Sequence, residues 1–83
     1  MKKIKLENPI KIDGVEVNEI TLRAPKVRDI LIASKKNVSE AEREVTLIAN
    51  LAEIPVEAIE DLGLKDYVTI QDWLKVFLSQ PAR

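Results

Sequence analysis

Apolar and charged residues alternate at the start of the chain: Ile4, Leu6, Ile10 and Ile12 fall at even positions, while Lys3, Lys5, Glu7 and Lys11 fall between them. A period of two is the signature of a half-buried β-strand, because successive side chains point to opposite faces. Asp13-Gly14 follows, a dipeptide suited to the left-handed backbone of a two-residue hairpin turn. If Ile12 then faces Val15 and Ile10 faces Val17, Ile20 and Leu22 emerge on the wrong face unless an extra residue intervenes. The pattern therefore predicts a hairpin over about residues 3–23 with a β-bulge near Asn18-Glu19. That is the height at which Pro9, with no N–H, cannot donate to the ladder. A hairpin alone is marginal in water, so this one must pack on other elements, and its two edges stay open to further strands.

The stretch Glu19-Ile20-Thr21-Leu22-Arg23-Ala24-Pro25 ends the β-type pattern. Pro25 suits the first turn of a helix, where its missing N–H costs nothing. A first helix is predicted over about 26–36, with Val27, Ile30, Leu31 and Ser34 on its inner face and Arg28, Asp29 and Lys35 mostly outside. It ends near Lys36-Asn37. Ser39 and Glu42 form a capping box opening a second helix, about 39–52, whose inward face is Ala41, Val45, Ile48, Ala49 and Ala52. Leu47 and Leu51 make a separate stripe on this helix, facing either the last helix or another chain. Pro55 opens a third helix, about 55–62, closed by Gly63. The fourth, about 65–79, carries Tyr67, Ile70, Leu74 and Leu78 centrally, Trp73 and Phe77 on one flank, and Val68 and Val76 outside. Ser79 to Arg83 reads as a frayed tail. The expected fold class is α+β: one domain over 1–83, an N-terminal β-hairpin packed on three to four short C-terminal helices. Arg23, at the seam, is expected to be partly buried and paired with Asp29 or Asp66 as a structural clamp.

Composition narrows the function. An 83-residue chain buries only about 60% of the surface its unfolded form exposes, and without cysteine it has no disulfide or thiolate metal site to compensate. Partner binding or self-association is the remaining source of stability. Histidine is absent as well, which removes the usual general base and the commonest zinc ligands. Glu40 with Glu44, and Glu57, Glu60 and Asp61, read as solvated acidic faces and not as a cation site. The two glycines cannot build a phosphate-cradling loop. No catalytic residue, cofactor, metal or small-molecule substrate is therefore expected. Lys5 and Glu7 interrupt any signal-peptide core, and no apolar run reaches the roughly 20 residues of a membrane helix, so neither secretion nor membrane insertion is expected. Charge is uneven. Through Lys36 there are nine Lys/Arg and five Asp/Glu, a balance of +4; from Asn37 onward four against nine, a balance of −5. Such asymmetry suits head-to-tail subunits or two solvated faces of opposite sign. Leu47 to Leu62 has the outline of a helix-turn-helix, which makes a small DNA-binding regulator the rival reading. However, the would-be recognition helix Val56 to Leu62 carries three acids and no cation, so nucleic acid is not an expected partner. A subunit of some unrelated protein complex is the other alternative.

Pro9, the Asp13-Gly14 turn, the segment Glu19-Ile20-Thr21-Leu22-Arg23-x-Pro25 and Asp29 occur in an order that resembles the small tail assembly chaperones of long-tailed phages and prophages, the E-type and Mu-like proteins. Leu62, Asp66, Ile70 and Phe77-Leu78 extend the resemblance over most of the chain. It implies a non-enzymatic protein of the bacterial host cytoplasm, absent from the mature virion. Such a protein binds the aggregation-prone tape measure protein until tail tube subunits polymerise around it, with the tube protein a further possible partner. A role of that kind needs exposed apolar helix surface in a charged frame. Leu47, Leu51, Trp73, Val76 and Phe77 are the candidate residues for partner binding or homo-oligomerisation; the alternative is that they complete the monomer core or a homodimer seam.

Overall fold

The computed structural model describes residues 1–34 and 39–78, except for the side chain of Leu78. Strands β1 (Lys2–Ile12) and β2 (Val15–Leu22) form an antiparallel two-stranded sheet. Helices α1 (Val27–Ala33), α2 (Glu40–Ala52), α3 (Val56–Glu60) and α4 (Leu64–Leu78) follow. The fold class is α+β, a hairpin followed by four helices. The expected helix end at Lys36-Asn37, the placement of Lys35, the Leu78 side chain and the tail from Ser79 lie outside the described residues.

At the turn, Asp13 and Gly14 have φ of 53° and 80°, the left-handed pair that matches the twist of the flanking strands. Ile10 pairs with Val17 and Ile12 with Val15, and then the register shifts so that Lys5 pairs with Glu19 and Ile4 with Ile20. The parity argument is met, but the extra residues are not at Asn18-Glu19. Between the two paired segments, Leu6, Glu7, Asn8 and Pro9 of β1 stand against Asn18 alone, so the bulge belongs to the first strand. The reason is hydrogen bonding. Pro9 has no N–H, and the N–H groups of Glu7 and Asn8 go to the Asp66 carboxylate, so spare chain collects where the ladder is already broken. With the shift, Ile4, Leu6, Ile10, Ile20 and Leu22 are all buried. At about 1.5–3 kcal/mol for each large aliphatic side chain, their burial on the helices makes a lone hairpin viable.

Helix α2 is the centre of the helical layer, packing against α1, α3 and β2, while α3 and α4 pack against β1. Its start is the expected capping box: Ser39 Oγ accepts from Glu42 N–H, and the Glu42 carboxylate accepts from Ser39 N–H, both at 3.2 Å. Its buried face differs from the expected one. Leu47, Ile48, Ala49 and Leu51 are buried, Val45 and Ala52 are half-buried, and Ala41 is exposed. A helix with neighbours on three sides buries two stripes instead of one. Gly63 does not close α3 with a left-handed residue, since Gly14 is the one glycine with positive φ. It lies instead against the Asn8 side chain at the bulge: a Cβ at Gly63 would be 2.9 Å from Asn8 Nδ2.

Candidate functional site

Arg23 leaves the end of β2 and joins three elements. Its Nη1 and Nη2 donate to the two oxygens of Asp29, each at 2.8 Å, a bidentate pair. Nη2 also reaches the Asn50 carbonyl at 3.4 Å, the Arg23 backbone N–H donates to the Leu51 carbonyl at 3.1 Å, and Nε lies 3.6 Å from Glu53. Glu53 caps α2 in the left-handed conformation, with φ of 58°. Asp29, in the first turn of α1, also accepts from Lys26 N–H at 2.8 Å and so caps its own helix. Pro25 sits just ahead of this N-cap and not inside the helix, a small correction to the expected start. Asp29 is buried, and the Arg23 hydrogen bonds hold its carboxyl below the usual value of 3.8 against the opposing effect of burial. The same pair raises Arg23 above its ordinary range.

Asp66 is buried too, but it is not Arg23's partner. Its Oδ1 and Oδ2 accept from Glu7 N–H at 2.9 Å and Asn8 N–H at 3.1 Å, which ties the first turn of α4 to the β1 bulge. A third carboxylate, Glu44 on α2, bridges to α4 by accepting from Tyr67 Oη at 2.6 Å and Gln71 Nε2 at 2.7 Å. Desolvation, reinforced by Glu44, raises the Tyr67 phenol well above its ordinary value, so it stays protonated as a donor. All three carboxylates are committed to packing. Among the described residues, no group of His, Cys, Asp and Glu could hold a metal ion, and no helix is long and apolar enough to cross a membrane. Helix α3 turns Glu57 and Glu60 to solvent, which gives a DNA phosphate nothing to pair with.

The five residues expected to meet a partner separate into two groups. Leu47 and Leu51 are only 4% and 1% exposed and sit in the core, where Leu47 reaches the surface only as part of the lining of the groove between α1 and α2. Trp73 is half-buried against the core, and its ring meets Phe77 edge to face at 5.0 Å. Phe77 and Val76 are exposed on α4 with Val68 and Leu64.

Sequence reasoning missed the more exposed apolar element, α1. The predicted inner face is the outer one: Val27 is 77% and Leu31 60% exposed, Ile30 and Ile32 are also exposed, and Ser34 is exposed as well. Asp29 and Ala33 are the residues α1 buries. At about 100° per residue, Asp29 and Ala33 define one narrow seam, Ile30 and Ile32 flank it, and Val27 and Leu31 point away. Arg23 decides this, because its bidentate grip on Asp29 fixes which side of so short a helix turns inward. The Arg23 to Asp29 spacing was the available signal. On the Ile30 side a groove of about 320 Å³ opens between α1 and α2, with Ala33 and Leu47 in its lining and Glu40, Arg43 and Glu44 along α2.

Compared with known families, residues 3–79 match the family model described as phage tail assembly chaperone proteins, E, or 41 or 14. No curated protein and no solved structure matches the chain significantly.

Proposed function

The chain belongs to the phage tail assembly chaperone family, and from that premise we propose that it binds the tape measure protein and keeps it soluble while the tail tube polymerises. It does this in the host cytoplasm, without catalysis, and leaves before the virion is complete. The observation that carries this reading is the exposure of large aliphatic side chains on two helices, α1 and α4, of a chain that is otherwise charged on its surface. A client that aggregates through apolar helix needs such a surface. The tail tube protein is a second partner in this reading. Self-association is part of it too, supported by the open edges of a two-stranded sheet and by the surplus apolar surface. Residues 1–83 act as a single domain.

Co-expression with the tape measure protein encoded in the same phage genome tests the role. A soluble complex of the two is expected; a client equally insoluble with and without this protein overturns the reading. Light scattering at tens of micromolar is expected to give a mass above the monomer, and a strict monomer removes the self-association.

A further inference from the structure

We propose that α1, with the groove between it and α2, is the surface on which the client docks, and that the occupant is an amphipathic helix with acidic residues flanking its apolar stripe. The inference rests on the tail-chaperone reading and names the site and the chemistry that reading leaves open.

Three observations converge on one side of the molecule. Val27, Ile30 and Leu31 stand at i, i+3 and i+4 on α1, all exposed, a ridge of the kind that meets the apolar face of another helix. A helix of 7 residues that buries only Asp29 and Ala33 gains little from its own apolar content, so that content is available to a partner. The groove beside the ridge continues it, from Ile30 over Ala33 to Leu47. The charges select the occupant. Lys26 and Arg28 are exposed beside the ridge, and neither side chain forms an ion pair among the described residues. Arg43 lines the groove on its α2 wall, and its guanidinium can pair with a carboxylate on the occupant's flank. Glu40 and Glu44 also line the α2 wall, Glu44 accepting from Tyr67 and Gln71, and these two carboxylates are the groups the occupant's acidic flanks have to avoid, which leaves those flanks to Lys26, Arg28 and Arg43. The exposed patch on α4 lacks this pattern: Lys75 beside Val76 is already near Asp72 at 3.9 Å.

Two measurements on the full chain test the proposal. In the first, Leu31→Glu on α1 and Val68→Glu on α4 are each co-expressed with the tape measure protein of the same phage. Both positions are exposed, so both variants are expected to keep the wild-type circular dichroism and melting, which is checked before the client is scored. Leu31→Glu is expected to lower the soluble client by about tenfold or more, as loss of a central anchor does, and Val68→Glu to leave it near the wild-type level. If wild-type protein solubilises the client and Leu31→Glu does so equally well, the docking site is not α1. If Leu31→Glu only converts an oligomer to a monomer and leaves the client soluble, a second copy of the chain covers α1 and the proposal is overturned. If wild-type protein fails to hold the client, the chaperone reading falls instead. The second measurement is independent of that client. Two synthetic amphipathic peptides of about 18 residues, with one apolar face but glutamate flanks in one and lysine flanks in the other, are titrated against the wild-type protein. The glutamate peptide is expected to bind about tenfold more tightly, with the advantage shrinking in salt and in Arg43→Met. Equal affinity for the two peptides refutes the acidic chemistry.

Discussion

Asp29 and Asp66 are the two buried acids among the described residues, and each lies in the first turn of a helix, where the helix dipole favours a carboxylate. There the likeness ends. Asp29 is held by neighbours in sequence, Arg23 six residues back and the Lys26 N–H three back. Asp66 is held by Glu7 and Asn8, 59 and 58 residues away, and its ligands are backbone N–H groups. The first carboxylate orients one short helix. The second decides where a strand bulges and how α4 docks on it. The same side chain at the same helical position can therefore fix local or global structure, according to what its oxygens meet.

Removing Asp66 should break the comparison most. Asp66→Ala leaves the two bulge N–H groups without their acceptor, at a cost of about 2–4 kcal/mol. For a chain of this size that lowers the melting temperature by roughly 10–25 °C. In hydrogen exchange, the Glu7 and Asn8 amides should be protected in the wild type and lose that protection in the variant. Unchanged exchange at both amides would show that the bulge does not depend on Asp66.

Asp29→Asn is expected to cost less, about 1–2 kcal/mol at neutral pH, since the amide keeps one acceptor for Lys26 N–H but loses the charge facing Arg23. Because pairing depresses the folded-state pKa, the stabilisation is complete above the ordinary value of 3.8 and is lost as pH falls through the lower folded value. The stability gap between wild type and Asp29→Asn should therefore be flat from pH 7 down to about 4 and close below that. Arg23→Ala should also lower the melting temperature, and the double variant should lose less than the two single losses added, which marks a shared interaction. Strict additivity in chemical denaturation would dissolve the clamp.

The smallest expected effect sharpens the contrast instead of breaking it. Gly63→Ala puts a Cβ against the end of the Asn8 side chain, which can rotate away. A loss of about 0.5–1 kcal/mol is expected, with a chemical-shift change confined to the bulge and the start of α4. A loss as large as that of Asp66→Ala would mean that close approach, and not hydrogen bonding, sets the docking of α4.

Much of the fold was legible in local pattern. Alternation gave β1, Asp13-Gly14 the turn, and Ser39 with Glu42 the start of α2, because each depends on residues within a few positions. The candidate site was less legible. Val27, Ile30 and Leu31 have the spacing of an inner face, and periodicity cannot tell an inner face from a docking face. Leu47 and Leu51 read as a second stripe for the last helix or another chain; α2 packs against α1, α3 and β2, and both leucines are buried.

The sequence by itself determined the elements, the odd shift in strand register and the identity of Arg23 as the residue at the seam, since parity, turn chemistry and capping act over short stretches of chain. Tertiary structure alone decided which strand carries the bulge, which acid Arg23 holds and which side of α1 faces solvent. Those choices depend on where donors and acceptors distant in sequence come to lie once the hairpin and helices close on each other. A buried carboxylate then accepts the hydrogen bonds available there.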